Sequence, residues 1–91
     1  MTKQELIQKH QNLFWYFDKN KLSEISEAVV VEFILNYGNM EALKDLFIVF
    51  GKEKTADIFK KSLGNQRNNY FPQVKSFFNL YFQKYVSGYS F

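Results

Sequence analysis

The sequence predicts an all-α fold: a compact single-domain bundle of four longer helices plus one short N-terminal helix. Three observations carry that expectation. Apolar residues recur at spacings of three and four. Ser and Asn stand where helix starts need caps. Glycines at 38, 51, 64 and 88 are isolated, each following an apolar-periodic stretch as a helix stop would.

Residues 3–10, KQELIQKH, predict the short helix, with Leu6 and Ile7 as its apolar pair. The run LFWYFD follows at 13–18, and then the polar, turn-like DKNKLSEIS, in which Ser23 and Ser26 are candidate caps. The first main helix is expected over 26–37. Its three consecutive valines favour a strand by propensity, but the serines before them and the YGN after them favour a helix. Gly38 is expected there as a C′ residue in a left-handed turn. Glu27, Glu32 and Asn36 form one narrow polar stripe, so this helix should be central.

Asn39 caps a second main helix over 40–50, where Leu43, Leu46, Phe47 and Phe50 share one face. Gly51 closes it. A third helix over 52–63 turns Ile58, Phe59 and Leu63 inward, and Gly64 ends it. After the polar NQRNNY, Pro72 suits the first turn of a fourth main helix over 72–86. Its stripe of Val74, Phe77, Phe78, Tyr81, Phe82 and Tyr85 is the strongest periodic signal in the chain. Phe77 and Phe78 are expected in the core, and Tyr81 and Tyr85 toward the rim, where hydroxyls find water. Residues 87–91 are expected as a loose tail. The segment NLYFQ at 79–83 stays in phase with the stripe and belongs to the helix.

A chain of 91 residues fits one domain. Domains of this size bury only about 60–70% of their unfolded surface, so large core residues matter. The 11 Phe and 6 Tyr supply them. The chain contains no cysteine, which excludes disulfides and thiolate metal sites and suits a reducing, cytoplasmic setting. No leader pattern opens the chain, and no apolar run approaches the ~20 residues of a membrane span.

Charge is uneven. Residues 1–57 carry seven Lys and all nine acids, a balance of −2; residues 58–91 carry five basic residues and no acid, a balance of +5. Lys60, Lys61, Arg67, Lys75 and Lys84 are therefore candidate nucleic-acid contacts. The segment LKDLFIVFGKEKTADIFKK has the order helix, Gly turn, basic helix of a helix-turn-helix. It departs from that pattern at Phe47, where close helix crossing wants a small residue, and at Lys52, where an apolar residue is usual.

Nothing in the sequence assembles a catalytic site. His10 is the lone histidine and is expected at the surface. No glycine-rich phosphate loop or nucleophile elbow occurs. Glu41 and Asp45, one helical turn apart, are expected on a solvated face. Glu32 interrupts an apolar helix, so it should either reach the rim or pair with a donor, because an unpaired buried carboxylate is costly. The sequence thus predicts a non-catalytic domain that requires no metal or other cofactor.

The order LFWYFD, VVVEFILNYGNMEALKDLFIVFGKEKTADIFKK, SFFNLYF resembles a family of small bacterial all-helical domains. Members show Leu-Phe-Trp-Asp near the start, Glu-Arg-x-Leu-x-Tyr/Phe-Gly-Asp in the middle, a Tyr-Gly-Lys-Glu step and a late Asn-Phe-Trp. Leu13, Phe14 and Trp15 match the first; Glu32, Leu35, Tyr37 and Gly38 the second; Gly51, Lys52 and Glu53 the third. Tyr16 stands in place of the usual Asp, Phe33 of Arg, Asn39 of Asp and Phe78 of Trp. Members are often encoded beside nucleotidyltransferase toxins of the AbiEii type. The resemblance implies an antitoxin or accessory role with such a protein as partner.

The four aromatics of LFWYFD cannot all face one way. Phe14 and Trp15 are expected to lock the entry segment onto the central helix near Phe33 and Tyr37, leaving Tyr16 or Phe17 at the rim. Trp15, Tyr16, Phe17, Glu32 and Tyr85 are accordingly the candidate partner-binding residues, since exposed aromatics anchor interfaces. Binding of DNA through the basic C-terminal third is the alternative.

Overall fold

The computed structural model describes residues 1–64 and 69–89. Arg67 and the last two residues of the expected tail lie outside that set.

Local chemistry accounts for the helix boundaries. Helix α1, Lys3–Lys9, starts at Thr2, whose hydroxyl accepts from the Glu5 N–H while the Glu5 carboxylate accepts from the Thr2 N–H. It buries Leu6 and Ile7. A 3₁₀ turn at Gln11–Phe14 then swings Phe14 into the core. A second one at Lys19–Glu24 begins where Asp18 accepts from the Asn20 N–H. Helix α2 spans Glu27–Tyr37, with Ser26 accepting from the Val29 N–H at 3.3 Å. Val30, Val31, Ile34 and Leu35 are buried. Each buried valine contributes more than the few tenths of a kcal/mol that its helix propensity costs.

Helix α3, Met40–Phe50, is capped by Asn39, which accepts from the Ala42 N–H at 2.9 Å. Gly51, at φ +82°, ends α3 and begins α4, Lys52–Leu63. Helix α5, Pro72–Tyr85, opens on its proline. No strand occurs among the described residues. The all-α bundle expected from the sequence is the observed fold.

Helix α2 packs against α3 and α4 at the centre, and α1 lies on α3. Helix α5 reaches the core through Phe82, 5.6 Å from Phe59 and 6.4 Å from Phe47 between ring centroids, and through Phe78, 6.3 Å from Phe59. One hydrophobic core results. The radius of gyration, 12.6 Å, is close to the roughly 12 Å expected of a single folded unit of this length.

Four expectations need correction. Gly38 is not left-handed; its φ is −79°. Glycine is needed there because α2 and α3 cross closely: a Cβ would lie 2.6 Å from the Ile34 carbonyl oxygen and 3.1 Å from the Ala42 Cβ. Phe77 is not core but 57% exposed. Phe78 and Phe82 are the α5 rings that reach Phe59 and Phe47, and Phe77 lies off that line. Ile58 and Leu63 pack against the core but are only half-buried, with only Phe59 of the three fully enclosed. His10 and Asp45 are not at the surface: each is 7% exposed, because α1 lies across α3 and buries both.

Candidate functional site

The run at 13–18 resolves by direction. The 3₁₀ turn aims Phe14 inward, where it stacks on Phe33 at 5.8 Å and 16°. Trp15 and Tyr16 stay 67% and 73% exposed, and Phe17 is half-buried. Trp15 meets Tyr37 edge-on at 6.3 Å, as the entry segment was expected to do, but does so from the surface.

These contacts close into a circuit. Trp15 meets Tyr16 at 6.0 Å, Tyr16 meets Phe17 at 5.5 Å, Phe17 meets Phe33 at 5.3 Å, Phe33 meets Tyr37 at 5.6 Å, and Tyr37 returns to Trp15. The five rings line one open groove of about 410 Å³, edged by Glu32, Asn36 and Asn69.

The polar edge is built by α2 gripping the chain that enters α5. Asn36 donates from Nδ2 to the Asn69 carbonyl at 3.1 Å and accepts from the Phe71 N–H at 3.3 Å. Glu32 Oε1 accepts from the Asn69 N–H at 3.3 Å. Phe71 packs edge-on against Tyr37 at 5.5 Å. Tyr70 is buried against Phe59, and its hydroxyl has no hydrogen-bond partner among the described residues. Burial, then the negative charge of Glu32, push its phenol far above the ordinary tyrosine range.

Four of the five candidate partner-binding residues, Trp15, Tyr16, Phe17 and Glu32, therefore meet at one groove. Tyr85 lies apart, on the exposed flank of α5. There Phe77, Tyr81 and Tyr85 follow one another at 6.1 and 4.8 Å, and Lys52 lies 5.8 and 5.3 Å from the Tyr81 and Tyr85 rings. Val29, Phe33, Asn36, Tyr37 and Asn69 complete the groove but were not candidates. Glu32 and Asn36, one turn apart on the polar stripe of α2, were the available signal.

The four basic candidates among the described residues have separate surroundings. Lys60 lies 5.9 Å from the Tyr89 ring, Lys61 pairs with Asp57 at 3.1 Å, Lys75 is exposed, and Lys84 lies 5.4 Å from the Tyr85 ring. Lys60 and Lys61 line different clefts.

A polar cluster that the sequence did not suggest joins α1 to α3. His10 Nε2 lies 2.8 Å and Lys9 Nζ 2.9 Å from Asp45 Oδ2, and Glu41 adds a longer contact to Lys9 at 3.4 Å. Hydrogen bonds from His10 and then Lys9 hold the Asp45 carboxyl below the usual carboxylate range. The bond to Asp45 raises the Lys9 ammonium above its ordinary value. No group of three or more metal-ligating side chains occurs among the described residues. No described helix is long and apolar enough to cross a membrane.

Fold and surface together define a small all-α bundle that presents an open aromatic groove beside a carboxylate. Comparison with protein-family models, curated proteins and solved structures finds no match to this chain.

Proposed function

We propose that this chain is a non-catalytic, cytoplasmic domain that binds another protein through the aromatic groove. By the sequence resemblance, that partner is a nucleotidyltransferase toxin, and the domain serves as its antitoxin or accessory subunit. The observation that supports this reading is the closed circuit of five rings at the surface, with Trp15 and Tyr16 its most exposed members. Trp and Tyr dominate binding energy at protein interfaces because they offer large, stiff, amphipathic area. Co-expression with an AbiEii-type nucleotidyltransferase from the same genome tests the proposal. The two should co-purify, and Tyr16→Ala should weaken retention without lowering the thermal midpoint. A nucleotidyltransferase that never co-purifies would count against it.

The second reading, DNA binding, has one favouring observation: Lys52 and Lys84 flank the exposed Tyr85 ring, and no acid lies between 69 and 89. Retention on DNA that falls with salt, and that Lys84→Glu abolishes, would support it over the first.

A further inference from the structure

The groove has a chemical preference that its apolar walls alone do not express. Aromatic rings present a negative face, so a concave set of them attracts cations as well as hydrocarbon. Several other rings at the surface of this protein already have cations, although exposed Phe71 and Phe77 do not. Lys52 lies near Phe47, Tyr81 and Tyr85, Lys54 near Phe50, and Lys60 near Tyr89. Among the lysines whose side chains are described, a set that leaves out Lys19, none lies over any of the five rings of the groove.

Glu32 shows the same imbalance. Glu27, Glu41, Asp45 and Asp57 each sit within 3.4 Å of a lysine nitrogen, and the acids without such a pair other than Glu32, namely Glu5, Asp18, Glu24 and Glu53, are exposed. Glu32 is half-buried at the edge of the groove, with one oxygen held by the Asn69 N–H. No cation pairs with it among the described residues. A purely apolar anchor seated here would strip water from that carboxylate and return nothing, which is costly. A cation would satisfy rings and carboxylate together.

We infer that the groove receives a lysine side chain from the partner protein, its methylenes against Trp15, Tyr16 and Tyr37 and its ammonium at Glu32. This rests on the protein-binding reading and specifies what the partner must present. Lysine fits better than arginine for a geometric reason. A guanidinium is best held by two carboxylate oxygens at once, and one oxygen of Glu32 is already engaged. An ammonium is a point charge that needs only the other. Its four-carbon stem supplies the apolar part, as lysine stems commonly do along hydrophobic surfaces.

Trp15 is the sole tryptophan of the chain, so its fluorescence reports on the groove without a label. The protein is titrated with n-butylammonium, which reproduces the lysine side chain, with n-propylguanidinium, and with neutral 1-butanol, all at constant ionic strength. Butylammonium should give a weak, saturable change in Trp15 emission, and butanol none at equal concentration. Glu32→Gln keeps an acceptor for the Asn69 N–H, so the fold should stand while butylammonium affinity falls roughly two- to fivefold, as for a partly exposed ion pair. Tyr16→Leu should weaken the same titration. Equal responses to butanol and butylammonium, or unchanged affinity in Glu32→Gln, would overturn the inference. Tighter binding of the guanidinium would overturn the choice of lysine. A partner that co-purifies equally well with Glu32→Gln protein would refute the lysine and leave the protein-binding reading intact. Butylammonium binding with no protein partner retained would refute that broader reading, and the partner's lysine with it.

Discussion

Asp45 is the residue on which the seating of α1 depends. Its carboxylate is shared by Lys9 and His10, which are 36 and 35 positions away in sequence. The His10 bond, then the Lys9 bond, lower its folded pKa relative to the unfolded chain. The stability it contributes is therefore complete above about pH 4 and is lost as pH falls through the depressed folded value. Asp45→Asn should lower the thermal midpoint at neutral pH and flatten the acid limb of the stability profile. An acid limb as steep as wild type would show that other carboxylates control acid unfolding. The pair escaped the sequence reading because nothing local marks it: Asp45 falls one turn from Glu41, as a solvated stripe would. Gly38 gives a related lesson. Its position after an apolar helix suggested a left-handed cap, whereas the need for glycine comes from Ile34 and Ala42. Gly38→Ala should therefore destabilise by about 1–3 kcal/mol through overpacking, despite an ordinary φ. Gly51→Ala should cost a similar amount for the opposite reason, with open space around it but a backbone at φ +82° and ψ 155° that other residues rarely adopt. Urea denaturation of both variants checks this, and a neutral Gly38→Ala would contradict the crossing argument.

Helices were legible to within a residue or two, since caps and stops are local signals. Ser26, Asn39, Gly51 and Pro72 each stand at a boundary for a reason that neighbouring residues suffice to reveal. Which part of an apolar stripe is covered was not legible. The stripe of α5 is wide, and its covered arc depends on where α3 and α4 lie. Phe78 and Phe82 face them; Phe77, one residue from Phe78, starts the exposed flank. Phe82→Ala should thus cost roughly 3–5 kcal/mol, most of the stability of a small domain. Phe77→Ala, losing mainly contacts with Phe78 and Tyr81, should cost less than about 1 kcal/mol. Chemical denaturation of the two would decide it, and a larger loss for Phe77→Ala would mean that α5 is rotated about its axis.

At the scale of the whole molecule, the bundle keeps its core on one side of the aromatic run and spends the other side on the groove. The LFWYFD segment was conspicuous in sequence, and simple direction required that Tyr16 or Phe17 reach the rim, without saying which. The groove itself was not visible. It depends on Phe33 and Tyr37 facing the entry segment, and on Glu32 and Asn36 holding residues 69–71 beside it. Those are relations between segments 16 or more residues apart, which no periodicity encodes. The proposal that this face binds a protein is tested most directly by calorimetric titration of the proposed nucleotidyltransferase partner with wild-type and Trp15→Ala domains. Trp15 is exposed, so its removal should leave the thermal midpoint nearly unchanged while weakening the complex at least about tenfold, as for an interface anchor. A Trp15→Ala domain that binds as tightly as wild type would contradict the account.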